Sequence, residues 1–143
     1  MNTKGVAEAI RARLAGFSAL AGNVEYIGFD KPQDAEPEAL GPFPYTVISL
    51  ISARPWDTKT SDGGNELFQV TTFCRPTATA SAYSQALELS QAAYDALHKF
   101  DLSVSGSNVV NLLWDSSPGM MTDPDGVTVY RPMDFRVVYD DGT

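Results

Sequence analysis

The segment from Val127 to Tyr139 alternates apolar and polar residues with a period of two. Successive side chains of a strand point to opposite faces, so this pattern predicts a strand with one face on a core and the other on solvent or a partner. The core-facing positions are Val127, Val129, Met133, Phe135, Val137 and Tyr139. Pro132 has no N–H donor for a sheet, which predicts a sheet edge or a bulge at that residue.

Four other runs have the composition of strands and are bounded by turn or loop residues. They are Val24 to Phe29, Tyr45 to Ala53, Asn65 to Arg75 and Ser107 to Trp114. The run from Tyr45 is apolar on both faces, which favours a central strand.

Two stretches have apolar residues at helical spacing. The first is predicted from Lys4 to about Ala21, with Asn2 or Thr3 as cap and a stripe of Val6, Ile10, Leu14 and Phe17. The second is predicted from a cap at Thr79 or Ser81 to about Phe100, with a stripe of Tyr83, Leu87, Ser90, Tyr94 and Leu97.

The predicted element order is α-β-β-β-α-β-β. It indicates an α+β fold, with a largely antiparallel sheet of four to five strands and two helices packed on one face. The 143 residues are the length of one domain, which we assign to residues 1–143.

Two segments are predicted to be irregular. The connection from Asp30 to Pro44 contains four prolines and four acids, Asp30 included, and is long for a compact domain. The segment from Arg54 to Gly64 is predicted to be a polar loop that projects between two antiparallel strands. Segments of this kind can reach neighbouring molecules.

Charge and composition exclude several classes of function. The chain has 18 acids against 10 bases, a net charge of −8, and its bases are scattered, so nucleic acid is not expected as a direct ligand. Cys74 is the single cysteine, which rules out an internal disulfide. The sequence shows neither a signal peptide nor a membrane-spanning stretch, so we expect folding in the cytoplasm and no membrane partner.

The sequence gives no catalytic residues, cofactor site or metal site. His98 is expected at the end of the second helix in a structural or surface role, and Cys74 is expected to be buried. Asp123 to Gly126 lacks the ligands of a calcium loop and predicts a hairpin turn, while Gly63-Gly64 is read as a flexible loop end. We therefore expect a protein that acts by assembly and binding, not as an enzyme.

Two sets of exposed apolar candidates remain open between two interpretations. Trp56 lies in the polar loop and is either folded back on the domain or an interface hot spot. Met120 and Met121 either form an adaptable contact surface or lie under the hairpin.

The chain resembles the tail-terminator, or tail-completion, proteins of long-tailed bacteriophages and gene-transfer particles. Four features carry the resemblance. They are the opening helix from Val6 to Leu14, the strand Pro44 to Ser49 after a proline-rich connection, Phe68 to Phe73 followed by an alanine-rich helix ending Tyr94 to Leu97, and the turn at Asp125-Gly126 followed by Val129 to Arg136. Arg131-Pro132 departs from the pattern.

The resemblance implies a virion structural protein that forms a homohexameric ring on the tail tube, stops tail polymerisation and joins the tail to the head connector. Its implied partners are other copies of itself, the tail-tube protein and a connector or stopper protein, with DNA passing through the lumen without specific binding. It implies a position at the head-proximal end of the tail and synthesis in the host bacterial cytoplasm.

By the same resemblance, we expect the loop to contact the tube or ring and the connection to contact a neighbouring subunit. The predicted loop contacts are Arg54, Trp56, Asp57, Lys59 and Asp62, and the predicted connection contacts are Asp34, Glu36 and Glu38. The alternatives are another head-tail connector component, such as a stopper or minor tail protein, a small-molecule-binding α+β domain, or a regulatory domain that binds a peptide on its edge strand.

Overall fold

The computed structural model describes residues 1–30, 43–57 and 62–142. Its elements are α1 (Thr3–Ala15), α2 (Ser18–Ala21), β1 (Tyr26–Gly28), β2 (Tyr45–Pro55), β3 (Asp62–Cys74), α3 (Ala82–Leu97), β4 (Asn108–Ser116), β5 (Met121–Thr122) and β6 (Val129–Gly142). The strand order is β1-β2-β3-β6-β4, with β5 also paired to β6, and only the β1–β2 pair is parallel. The predicted α+β fold with a largely antiparallel sheet is confirmed.

The core lies between one face of the sheet and the helices. We call this side the helix face and the other side the open face. Phe68 and Val70 of β3 pair with Phe135 and Met133 of β6, and all four are buried on the helix face. Three of the four residues of the predicted stripe, Val6, Ile10 and Leu14, are fully buried against this layer, as expected for an amphipathic helix, whereas Phe17 is only partly buried.

The first predicted helix is in fact two. Asn2 caps α1 by accepting a hydrogen bond from the Gly5 N–H, but the helix ends at Ala15 because Gly16 is its C-cap. Phe17 then takes an extended conformation before the single turn of α2. Glycine is a poor helix former, so the helix breaks at Gly16, before the predicted end near Ala21.

The predicted apolar stripe of α3 is partly wrong. Ser90 and Leu97 are buried, whereas Tyr83 and Leu87 are 55% and 40% exposed. Alanines occupy much of the true inner face, which consists of Ala82, Ala86, Leu89, Ser90, Ala92, Ala93, Ala96 and Leu97. Small side chains bring the helix axis close to the sheet, so the larger residues at its margin remain outside.

Pro132 lies in a central strand, not in an edge strand as one of the two interpretations had it. The β3–β6 ladder continues through the Thr71–Pro132 pair without a bulge. On the other side of β6, β4 ends opposite Asp134 and β5 begins opposite Tyr130, so Pro132 faces the gap between them. In that gap the Ser117 hydroxyl donates to the Pro132 carbonyl oxygen at 2.6 Å, and no strand requires the missing N–H donor.

The turn from Asp123 to Gly126 is a hairpin turn, as predicted. The Gly126 N–H donates to the Asp123 carbonyl, and Gly126 has a positive φ of 76°. The Asp125 carboxylate accepts hydrogen bonds from the Thr128 hydroxyl and from the Thr128 and Val127 N–H groups. These bonds, with the Arg75 guanidinium at 3.1 Å, hold the pKa of Asp125 well below its usual range.

We expect Leu97→Ala to destabilise the fold by about 2–5 kcal/mol, because it leaves a cavity under α3. Leu87→Ala removes the same atoms from the same helix at an exposed position and is expected to cost less than about 1 kcal/mol. Chemical denaturation of both variants measures the difference. Equal losses would show that the inner face of α3 has been assigned wrongly.

The Asp125 carboxylate is expected to make stability depend on pH. Its pKa is depressed in the folded state, so its contribution is complete above pH about 4 and is lost as the pH falls through the folded pKa. Asp125→Asn should therefore be less stable than the unmodified protein at pH 7, with the gap narrowing below about pH 4. Asp123→Asn, which changes a carboxylate with no hydrogen bond to a described residue, is the matched control.

Candidate assembly interface

Two strands continue into the described ends of the segment predicted as a polar loop. Arg54 pairs with Asn65, Pro55 pairs with Gly64, and β3 begins at Asp62. The prediction of an irregular segment from Arg54 to Gly64 is therefore wrong for Arg54, Pro55 and residues 62–64, which are strand, whereas Trp56 and Asp57 lie outside the strands. We call the described residues 50–57 and 62–64 the arm.

The β2 side of the arm is exposed on both faces of the sheet. Every residue from Leu50 to Pro55 is exposed, and Leu50, Ile51 and Trp56 retain 45%, 50% and 41% of their accessible surface. β1 pairs with β2 only from Tyr45 to Val47, so no described strand covers the outer edge of β2 beyond that point. The first part of β2 is central, as predicted, but its second part is an edge.

Leu50 and Ile51 are candidate contact residues that sequence reasoning missed. Their apolar character led to their assignment to a central strand, whereas the structure leaves both in contact with solvent. The neighbouring Ser49, Ser52 and Ala53 carried the relevant signal, since small and polar residues interrupt the apolar pattern there. A β-bulge between Leu50 and Ser52 changes the register at this point.

The end of the arm is held by short-range contacts. The Trp56 N–H donates to the Gly63 carbonyl oxygen at 3.1 Å, and the Gly63 N–H donates to Asp57 Oδ1 at 3.2 Å. A Cβ on Gly63 would collide with the Tyr139 carbonyl oxygen and lie 2.7 Å from that of Trp56. Gly63 and Gly64 are buried strand residues, so their interpretation as a flexible loop end is wrong: close backbone approach requires glycine at position 63.

The structure brings together four of the predicted loop contacts, Arg54, Trp56, Asp57 and Asp62, all within the arm. The guanidinium group of Arg54 has neither a hydrogen bond nor an ion pair with any other described residue. Lys59 and the three connection residues Asp34, Glu36 and Glu38 lie outside the described residues. The role of both sets as contacts remains a prediction.

The opposite edge of the sheet is closed over its middle by the end of α3. The Trp114 N–H donates to His98 Nδ1 at 2.9 Å, and the Lys99 N–H donates to the Leu112 carbonyl oxygen at 2.8 Å. The His98 ring also stacks on Tyr94, with 4.7 Å between the ring centroids. The predicted structural role of His98 is therefore confirmed: it occupies a backbone donor of β4 that a partner strand would need.

The open face of the sheet carries aromatic and polar side chains. Tyr45 stacks on Phe73 and Phe73 lies against Tyr130, with ring centroids 4.9 and 4.8 Å apart. Further along β6, Gln69 donates to Asp134 and Arg136 donates to Asn65. In these cross-strand pairs the polar side chains form hydrogen bonds with each other. The open face therefore has fewer polar groups available to a partner than the unpaired edge of the arm.

The described part of the chain has a small depression beside the β4 edge of the sheet. This shallow depression of about 250 Å³ lies between Phe100 and Leu112, below the usual 300–1,000 Å³ of ligand pockets. No cluster of three metal-ligating side chains occurs in the described part of the chain, and none of its helices is long and apolar enough to span a membrane. Cys74 is buried as predicted, and burial raises the pKa of its thiol to about 12.

Comparison with known proteins places these features in context. The family model described as tail completion protein gp17 matches residues 8–140. Among solved structures, a chain in the virion of a native gene transfer agent particle is similar in fold, with a TM-score of 0.70, 20% sequence identity and coverage of 96% of both chains. No curated protein matches.

Gly63→Ala is expected to destabilise the protein by roughly 1–3 kcal/mol, because the new methyl group must displace backbone atoms of β6 and of the arm. Gly16→Ala adds a methyl group that meets its nearest described atom at 3.4 Å and should change stability by less than about 0.5 kcal/mol. Denaturant midpoints measure both. A harmless Gly63→Ala would mean that the arm does not approach Tyr139 this closely.

Proposed function

This chain belongs to the tail completion protein gp17 family, and we propose that it caps the tail tube as a homohexameric ring, stops tube polymerisation and joins the tail to the head connector. Family membership itself gives the chain a structural role in the tail of a virion. Beyond that role, our proposal comprises the homohexameric ring, the arrest of tube polymerisation and the joining of the tail to the head connector. The gene-transfer-agent chain supports the same fold.

The exposed arm is the observation that carries this proposal. It combines three large apolar side chains, Leu50, Ile51 and Trp56, with an edge on which no described strand pairs. Long exposed edges promote uncontrolled association unless a partner covers them, and interface hot spots are enriched in tryptophan. In a protein that functions by assembly, a binding partner would cover this exposed edge of the sheet.

The closed edge of β4 constrains how copies meet. A cyclic ring uses two different surfaces of each subunit. The N–H of Trp114 and the carbonyl of Leu112 are already engaged, so a neighbour's arm cannot add to β4 there as a further strand. We propose that the arm docks through its side chains onto the neighbouring subunit or the tube.

Charge supports a lumen that does not retain DNA. The net charge of −8 repels the phosphate backbone, and the ten basic residues are scattered along the sequence. DNA would then pass through the ring without specific binding.

Three alternatives predict different behaviour. A stopper or minor tail protein would share the structural role but would not stop tube growth. The peptide-binding and small-molecule alternatives predict a protein that has no affinity for tube protein. Light scattering across concentrations, with and without tube protein, separates them: a hexamer, alone or on the tube, supports the proposal, and a strict monomer that ignores tube protein contradicts it.

Trp56→Ala is expected to weaken ring formation or tube binding at least tenfold, since a buried interface tryptophan typically contributes 2 kcal/mol or more. The unfolding midpoint should change little, because Trp56 is already 41% exposed in the single chain. Tyr83→Ala, an exposed aromatic on α3, is the control and should assemble normally. Titration with tube protein gives both affinities; unchanged binding by Trp56→Ala would remove the arm from the interface.

A further inference from the structure

A buried polar cluster lies where the arm joins the rest of the sheet. Glu66 and Tyr139 are both 0% exposed, and the Thr3 hydroxyl of α1 donates to Glu66 Oε2 at 2.5 Å. We call Thr3, Glu66 and Tyr139 the arm-root cluster. It connects the first turn of α1, the start of β3 and the end of β6, which are distant in sequence.

Tyr139 contacts the arm through both its backbone and its ring. Glu66 is opposite Val137 and Gly64 is opposite Tyr139, so Tyr139 is a diagonal neighbour of Glu66 on the helix face. The ring lies over Gly64, where an added Cβ would be 2.6 Å from the hydroxyl oxygen. The Tyr139 carbonyl oxygen fills the corresponding space at Gly63.

Two buried polar atoms of the cluster are unpaired. Neither Glu66 Oε1 nor the Tyr139 hydroxyl makes a hydrogen bond of good geometry to a described group, although the hydroxyl lies close enough to Glu66 to interact with it. Burial and the adjacent Glu66 carboxylate raise the pKa of Tyr139, so the hydroxyl keeps its proton at neutral pH and remains a donor. An unpaired donor beside an unpaired acceptor in a core is unfavourable, and a small movement of either side chain pairs them.

We propose that the arm-root cluster is a positioning device: it keeps the arm rigid and fixes its orientation relative to the rest of the domain. When the Tyr139 hydroxyl bonds to Glu66, which Thr3 holds from α1, Tyr139 is fixed over Gly63 and Gly64 and the arm is rigid. When that bond is open, the arm moves independently of α1. The use of this device in tail assembly rests on the proposed function, but its effect on the arm does not.

Amide hydrogen exchange of the full chain tests the proposal. The reporters are the N–H groups of Trp56 and Gly63, which are hydrogen-bonded within the arm, and the N–H of Trp114 at the far edge. Tyr139→Phe removes the donor and is expected to speed exchange at the arm reporters about tenfold, with no change at Trp114. Tyr130→Phe, on the open face of the same strand, is the matched control and should change neither.

Thr3→Val provides an independent variant, because it removes the bond to Glu66 from a partly exposed position without touching β6. It should also speed exchange at the arm reporters alone. If Tyr139→Phe does not fold, the exchange rates of Thr3→Val test the proposal in its place. Unchanged arm exchange, or an equal rise at Trp114, overturns the proposal. Binding to tube protein is measured separately, so an arm that responds as expected in a protein with no affinity for tube protein would sink the proposed function and leave the positioning device intact.

Discussion

The antiparallel ladder between β3 and β6 is the interaction on which the rest of the structure depends. It runs without interruption from the Gly63–Asp140 pair to Cys74–Val129 and places the core residues Phe68, Val70, Met133 and Phe135 on one face. The helices α1 and α3 pack on that face. The two outer parts of the sheet, β2 with β1 and β4 with β5, are each attached to one side of this pair.

The two sides of the ladder differ in how their outer strands end. On one side the C-terminal end of α3 returns to β4, and His98 and Lys99 occupy backbone groups of Trp114 and Leu112. On the other side β1 is only three residues long, and β2 continues beyond it as the arm. The domain is therefore closed to strand addition at the middle of one edge, and at the other edge no described strand pairs with the arm. This asymmetry suits a subunit with distinct neighbours.

Local patterns predicted most of the elements because hydrophobic periodicity is a local property. The β6 alternation, the α1 stripe, the Ser81 cap and the turn at Gly126 all depend on residues a few positions apart. The face of α3 was predicted less well, since its alanines carry little pattern and its aromatic residues fit a stripe that lies outside the core. Glu66 has the same parity as Phe68 and Val70, so its burial was readable from alternation, but its partners Thr3 and Tyr139 were not.

The sequence by itself determined the fold class, the acidic character and the absence of an internal disulfide, because composition and periodicity need no long-range information. Only the tertiary structure decided that Arg54, Pro55 and residues 62–64 are paired strand, that Leu50 and Ile51 face solvent, and that the middle of one edge of the sheet is closed by His98. Each of these depends on which distant segment lies alongside, and on where that neighbour ends. The positions at which neighbouring strands end depend on segments that are far apart in the sequence. A local sequence pattern does not encode them.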